Sequence, residues 1–173
     1  MGSHLDSACA ALKERFDAEE TDCKIGISLI LKPENLFAAV QALRDEFDFN
    51  FLSSLTASDY WPELEPRFHL VYQFYSHLHN VRLSLRVPLA GEEPLALSVE
   101  PLFPNANWHE RELWDMFGIR FDGNSDLRRI LMPYDWVGHP LRKDYPLGYE
   151  EPQFTFNYED IQIRKHRARY EEA

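Results

Sequence analysis

Leu36, Val40, Leu43 and Phe47 recur at helical spacing behind Pro33, whose fixed φ suits a first turn, so residues 33–47 are predicted to form an amphipathic helix. A different period governs Phe68–Ser76 (FHLVYQFYS) and residues 81–87 (VRLSLRV), where apolar and polar positions alternate. His77, Leu78, His79 and Asn80 join the two runs, which makes them an antiparallel hairpin. Val81, Leu83, Leu85 and Val87 then face a core, while Arg82, Ser84 and Arg86 face water or a partner. Weaker patterns predict a helix over 8–19, carrying Leu12 and Phe16, and strands over 24–31, 51–58 and 95–99. Asn107 is placed to cap a last helix that runs to Phe117, and Gly118 to close it in the left-handed conformation.

The order α-β-α-β-β-β-β-α implies an α+β fold, a mixed and mostly antiparallel sheet with flanking helices on one face. Beyond Gly118 the periodicity fails. Pro133, Gly138, Pro140, Pro146, Gly148 and Pro152 punctuate a long irregular C-terminal extension, and a loop of that length is usually functional. The expected division is an α+β domain over residues 1–147 and an extended tail over 148–173. The tail carries alternating aromatics Phe154, Phe156 and Tyr158, followed by Arg164, Lys165, Arg167 and Arg169. It reads either as a segment that docks on a partner or as disorder.

A chain of 173 residues, 45% of them hydrophobic, suffices for one core that removes about 70% of the unfolded surface from water. The formal charge of −11 repels polyanions and anionic lipid at long range, which argues against a nucleic-acid binder and against a direct grip on membrane. The acidic excess lies mostly in the first hundred residues, and bases gather in the irregular loop. Cys9 and Cys23 form no CxxC pair and have no matching histidine set, so neither a structural zinc nor an iron–sulfur cluster is expected here, and a reducing compartment fits. No apolar run approaches membrane-spanning length and no signal peptide is evident, so any membrane association is expected through a partner. The opening Met1-Gly2-Ser3-His4 is left out of the fold argument.

Chemistry concentrates in residues 110–147. Glu110, Arg111, Glu112, Asp115, Arg128, Arg129, Arg142, Lys143 and Asp144 mix both signs, which suits pairing with one another or with a protein surface. On a helical wheel Glu112 and Asp115 share one side, whereas Glu110 falls among Leu113, Trp114 and Phe117. A buried Glu110 calls for a cation, and Arg128, Arg129 and Arg142 are the candidates. The expectation is an internal clamp built from Glu110, Arg111, Glu112, Asp115, Arg128 and Arg129. An acid/base pair of glycosidase type is disfavoured, because neighbouring helical positions do not enclose a substrate. His109-Glu110 lacks the second histidine of a zinc helix, the glycines form no phosphate loop, and Ser53, Ser54 and Ser58 lack a nucleophile elbow. His69 reads as a sheet-face residue. Trp61, Trp108, Trp114 and Trp136 read as partner anchors or as core, with core packing expected for at least half. Arg142, Lys143, Asp144 and Tyr145, in a loop fixed by Pro146, read as a docking hot spot or as a solvated loop.

Glu110-Arg111-Glu112, Asp115-Met116-Phe117-Gly118, Arg129-Ile130-Leu131-Met132-Pro133 and the run from Gly138 to Pro146 closely resemble, in that order, the signature of the 30-kDa subunit family, the C-type subunit of respiratory complex I, NADH-quinone oxidoreductase. Asp59-Tyr60, Arg67-Phe68 and Val71-Tyr72 extend the likeness back to about Leu55, and it runs on to about Tyr158; the first fifty residues match in pattern only. The resemblance implies a non-catalytic α+β subunit of the peripheral arm that binds no cofactor. FMN and iron–sulfur clusters belong to other subunits, and quinone is reduced between the B-type and D-type subunits. The implied partners are the D-type subunit, of 49-kDa type, with the B-type and other arm subunits, and no nucleic acid. In a bacterium this implies the cytoplasmic side of the inner membrane, touching the membrane only indirectly. Phe154, Phe156 and Tyr158 would lie across the 49-kDa-type partner with Arg142, Lys143, Asp144 and Tyr145. Equivalent scaffolds occur in a photosynthetic quinone oxidoreductase and in membrane-bound hydrogenases; Gly138-His139-Pro140, where photosynthetic members tend to carry tryptophan second, leans toward the respiratory complex. A self-standing hydrolase and a nucleic-acid module are the rivals from other classes.

Overall fold

The computed structural model describes residues 2–21, 26–91 and 93–145. Phe154, Phe156, Tyr158 and the tail over 148–173 therefore lie outside the described residues, as does Cys23. The chain runs α1 (Gly2–Phe16), β1 (Glu19–Thr21), β2 (Ser28–Ile30), a 3-10 turn at Pro33–Asn35, α2 (Leu36–Glu46), β3 (Phe51–Asp59), β4 (Phe68–Ser76), β5 (Val81–Leu89), β6 (Leu95–Leu97), α3 (Ala106–Phe117) and β7 (Arg120–Asp122).

Five strands form one sheet in the order β1-β2-β5-β4-β3, antiparallel except where β2 meets β5. The mixed, mostly antiparallel sheet expected from the pattern is present. Along β4 the alternation is complete: Phe68, Leu70, Tyr72, Phe74 and Ser76 are buried, and the residues between them are half-exposed. Opposite them in register stand Leu89, Val87, Leu85, Leu83 and Val81 of β5. The same core takes Ala8 and Leu12 from α1, Val40 and Leu43 from α2, and Leu113 and Phe117 from α3, so the helices cover this face. Leu52 and Leu55 stand at an odd spacing that would put them on opposite faces of a regular strand. A register shift between Leu52 and Ser54 restores both to the inner face, against Phe74 and Tyr72.

Two short strands escaped the pattern. β1 is polar and β7 is three residues long, so neither carries a period that a sequence window registers. β7 pairs in parallel with β6 as a separate two-stranded sheet, and α3 is the crossover between them. Asn105, just ahead of the expected Asn107, stands at the N-terminus of α3. Its side chain donates to the Leu52 carbonyl at 2.8 Å rather than capping, because the helix start is packed against β3.

A docking loop clamped to the end of α3

The last four carbonyls of a helix lack partners within it, and the irregular loop after β7 supplies most of them for α3. Gly118 takes φ +72, and its N–H reaches the Trp114 carbonyl at 2.9 Å. A β-carbon at Gly118 would stand 2.6 Å from His139, so glycine serves here both for its left-handed backbone and for close approach. The Asp115 carbonyl accepts from His139 Nδ1 at 3.0 Å, the Met116 carbonyl from the Leu141 N–H at 3.0 Å, and the Phe117 carbonyl from Arg142 Nε at 2.6 Å. Arg129 and Arg142 thus bring positive charge to the negative end of the helix dipole.

Asp115 is the centre of this clamp. Its Oδ1 accepts from Arg129 Nη1 at 2.5 Å, and its Oδ2 accepts three consecutive backbone N–H groups, those of Ile130, Leu131 and Met132, at 2.8 to 3.0 Å. Burial pushes the Asp115 carboxyl up. The Met132 N–H, Arg129 and the other two N–H groups outweigh it, and the group lies below the usual carboxylate range. Arg129 then donates through Nη2 to the carbonyls of Trp136 and Gly138, at 2.6 and 3.1 Å, with its guanidinium 5.6 Å from the Trp114 ring. One ion pair therefore fixes both the start and the middle of the loop.

A second ion-paired centre holds the loop's far end. Arg67, fully buried, grips Asp59 through Nε and Nη2 at 3.1 Å each and Asp144 through Nη1 and Nη2 at 3.1 and 2.6 Å. Its guanidinium lies near the rings of Trp61 and Phe68, 4.9 and 4.8 Å from their centres. Asp59 also accepts the N–H groups of Trp61 and Lys143 at 3.0 and 2.8 Å. Although burial pushes the Asp59 carboxyl up, Arg67 and the two N–H groups bring it below its ordinary value; Arg67 does the same for Asp144. Sequence reasoning missed this centre. Its signal was the inward register of Asp59, in phase with Leu55, and an arginine just ahead of inward Phe68.

The expected clamp changes in membership. Glu110 is fully buried, but among the described residues it has no cationic partner. Ser98 Oγ, the Val99 N–H and Asn124 Nδ2 donate to it at 2.7, 2.9 and 2.8 Å, across the ends of β6 and β7. The physical reason is position: Glu110 lies about 7.5 Å along the axis from Asp115, facing the small sheet while the arginines gather at the helix end. Burial drives its carboxyl above the usual range despite these bonds. Glu112 points outward, and Arg128 is an exposed partner of Asp126, so neither belongs to the clamp. Arg111 does belong, donating to the carbonyls of Arg128 and Arg129 at 3.2 Å each.

Arg142, Asp144 and Tyr145 have internal partners as well; the Tyr145 hydroxyl donates to the Val137 carbonyl at 3.2 Å, and a β-carbon on Gly138 would stand 2.7 Å from the Tyr145 ring. Among the described residues, only the Lys143 side chain in that group of four is carried outward on an exposed residue without such a partner. None of the four tryptophans is fully buried, contrary to the core packing expected for half of them: Trp61, Trp108 and Trp114 each take a guanidinium instead. Exposed apolar groups cluster on the loop at Leu131, Tyr134, Val137 and Leu141.

Residues 29–151 match the family described as respiratory-chain NADH dehydrogenase, 30 Kd subunit. The chain belongs to this family. It is 44% identical over 165 residues to the C-type subunit of NADH-quinone oxidoreductase from Roseiflexus sp. (strain RS-1), covering 90% of this chain and 94% of that one. The corresponding protein of Roseiflexus castenholzii is 46% identical over 141 residues, 80% of each chain. Among solved structures, a trypsin-resistant fragment (1–134) of Nqo5 superposes with a TM-score of 0.63 at 30% identity, covering 72% of this chain and 99% of the fragment. A chain of an archaeal membrane-bound sulfane sulfur reductase shares the fold, with a TM-score of 0.72 at 16% identity, over 99% of this chain and 98% of that one. The protein is thus a subunit of an NADH-quinone oxidoreductase complex, with partners among the other subunits, and among its described residues no helix is long and apolar enough to cross a membrane.

Proposed function

We propose that this chain is a non-catalytic scaffold of the complex, which binds the D-type (49-kDa) subunit and adjoins the B-type subunit, and which holds neither FMN nor an iron–sulfur cluster itself. Electron transfer from NADH to quinone, coupled to proton translocation, then runs through its neighbours, and this chain keeps their spacing. In a bacterium it would lie on the cytoplasmic side of the inner membrane, peripheral and attached through its partners.

The observation that carries this reading is how the signature residues use their polar groups. Asp115 has four donors, Arg129 bridges a carboxylate and two backbone carbonyls, and Arg67 holds two carboxylates at once. Carboxylates saturated in this way and held ionised are poor bases and poor nucleophiles. They make a brace, and the brace presents an exposed apolar rim in one fixed shape, which lowers the entropic cost of docking. The trypsin resistance of the Nqo5 fragment, which covers 72% of this chain, supports a firm body, to which residues 148–173 would add a docking tail.

Exchange of Lys143→Glu, alone and with Arg142→Glu, in the assembled complex tests the reading. Release of this chain from the 49-kDa-type partner during purification is expected, most cleanly for Lys143, whose side chain is exposed. Unchanged assembly of both variants would defeat it, as would quinone reduction by the purified chain alone.

A further inference from the structure

Beside the C-terminal half of α3, Arg111, Arg128, Arg129, Trp114, Met132 and Tyr134 line an open cleft of about 430 Å³. Its three guanidiniums are engaged to different degrees. Arg129 is turned inward to Asp115 and to two loop carbonyls. Arg111 is buried and gives Nε and Nη2 to carbonyls, with Nη1 3.9 Å from Asp126. Arg128 is bound through Nε to Asp126 at 2.9 Å, and its side chain is 73% exposed. Among the described residues that line the cleft or pair with them, Asp115 and Asp126 offset two of three positive charges and leave one in excess, in a chain whose net charge is −11. The rest of the lining is apolar and aromatic: Trp114, Met132 and Tyr134, the last 76% exposed, with Trp108 against the buried Arg111 guanidinium, 5.2 Å from it.

We infer that this cleft receives an acidic side chain carried on an apolar segment of a neighbouring protein subunit, its carboxylate against the exposed Arg128 guanidinium and its apolar flanks against Met132 and Tyr134. The inference rests on the docking role proposed above and names the chemistry of what is docked. Charge complementarity selects an anion, because a cationic segment would meet a positive excess. The apolar lining selects a protein, since phosphate or a free carboxylate brings no apolar surface for Met132 and Tyr134 to cover. Nucleic acid is excluded by the same long-range repulsion that the whole chain exerts on polyanions. Arginine beside tyrosine and tryptophan is also the composition of interface hot spots. The clamp makes the cleft a fixed shape: the backbone of Ile130, Leu131 and Met132 is tied to Asp115, so the rim is ordered before a partner arrives.

The test is a photo-crosslinking residue in place of Tyr134, in the full chain assembled into its complex, with the captured peptide read by mass spectrometry. A peptide from a partner subunit with Asp or Glu beside the crosslinked position is expected, and charge reversal of that acid together with Arg128→Glu should restore binding. Arg128→Glu alone should weaken association tenfold or more and should leave the unfolding midpoint of the isolated chain unchanged; Arg120→Glu, exposed on β7, is the control. Capture of a segment without acidic residues, no capture in an assembled complex, capture of nucleic acid, or an Arg128→Glu affinity equal to that of Arg120→Glu would each overturn the inference. If Lys143→Glu releases the chain in that last case, the scaffold reading stands and only the cleft fails. A wild-type chain that joins no complex would sink both.

Discussion

The two ends of α3 each bury a carboxylate, five residues apart, and the protein drives them in opposite directions. Glu110 and Asp115 both have 0% of their surface exposed. At the inner end Glu110 meets, among the described residues, neutral donors from Ser98, Val99 and Asn124, which join the ends of β6 and β7; burial prevails and its carboxyl is pushed up. At the outer end Asp115 meets Arg129 and three backbone N–H groups; burial raises its carboxyl, but the donors prevail and it is held ionised. Burial alone does not set the protonation of a carboxyl. The number and charge of donors that the local backbone can aim at it decides. Glu110 is a pin within the folded body, whereas Asp115, like Asp59 and Asp144 on Arg67, ties the loop to that body.

The comparison breaks most visibly at the ion-paired centres. Arg67→Ala leaves Asp59 buried without its cation and should cost about 3–5 kcal/mol in urea unfolding; a loss below about 1 kcal/mol would mean that the centre is not desolvated. Asp115→Asn, which removes the partner of Arg129 and sets an amide among donors, should cost about 3 kcal/mol, against about 1 kcal/mol for Glu110→Gln. Equal losses would erase the distinction between the two ends of the helix. Their pH dependence sharpens it. Asp115 has a lowered folded pKa, so its contribution is present above the unfolded value of about 3.9 and is lost as pH falls through the folded value. Glu110 has a raised pKa, so its contribution is full below the unfolded value of about 4.3 and is lost as pH rises through the folded one. Urea midpoints between about pH 2 and 8 should therefore show Asp115→Asn flattening the acid limb and Glu110→Gln flattening the fall toward neutral pH.

Smaller effects test the geometry between the centres. Gly118→Ala adds a β-carbon at φ +72 that meets the His139 ring and Arg142, and should cost about 1–2 kcal/mol in thermal or urea unfolding. Glu112→Gln and Arg128→Gln should each fall within about 0.5 kcal/mol of the parent, since both side chains are exposed. A larger loss for Glu112 would return it to the clamp.

Much of this molecule was readable from its residues, because periodicity is a local property. The hairpin of β4 and β5 was found with its inner face correct, except that Ser84, expected outward, is buried, where its hydroxyl accepts from Gln73 Nε2 at 3.1 Å; α2 and α3 followed from helical spacing and from Gly118. The signature in residues 110–147 placed the chain in its family and brought Asp115, Arg111 and Arg129 into one clamp. What the pattern left undecided was pairing over distance. Arg67 and Asp144 stand 77 positions apart, and nothing local to either selects the other. Among the described residues Glu110 meets no cation, because the crossover of α3 between β6 and β7 turns that side chain toward strand ends, a direction fixed only once the small sheet forms. Sequence determined which groups are rich in charge and which faces are apolar, through backbone geometry that repeats every two or 3.6 residues. Tertiary structure decided which carboxyl is pushed up and which is held down, because desolvation and donor geometry depend on chain segments that only folding brings together.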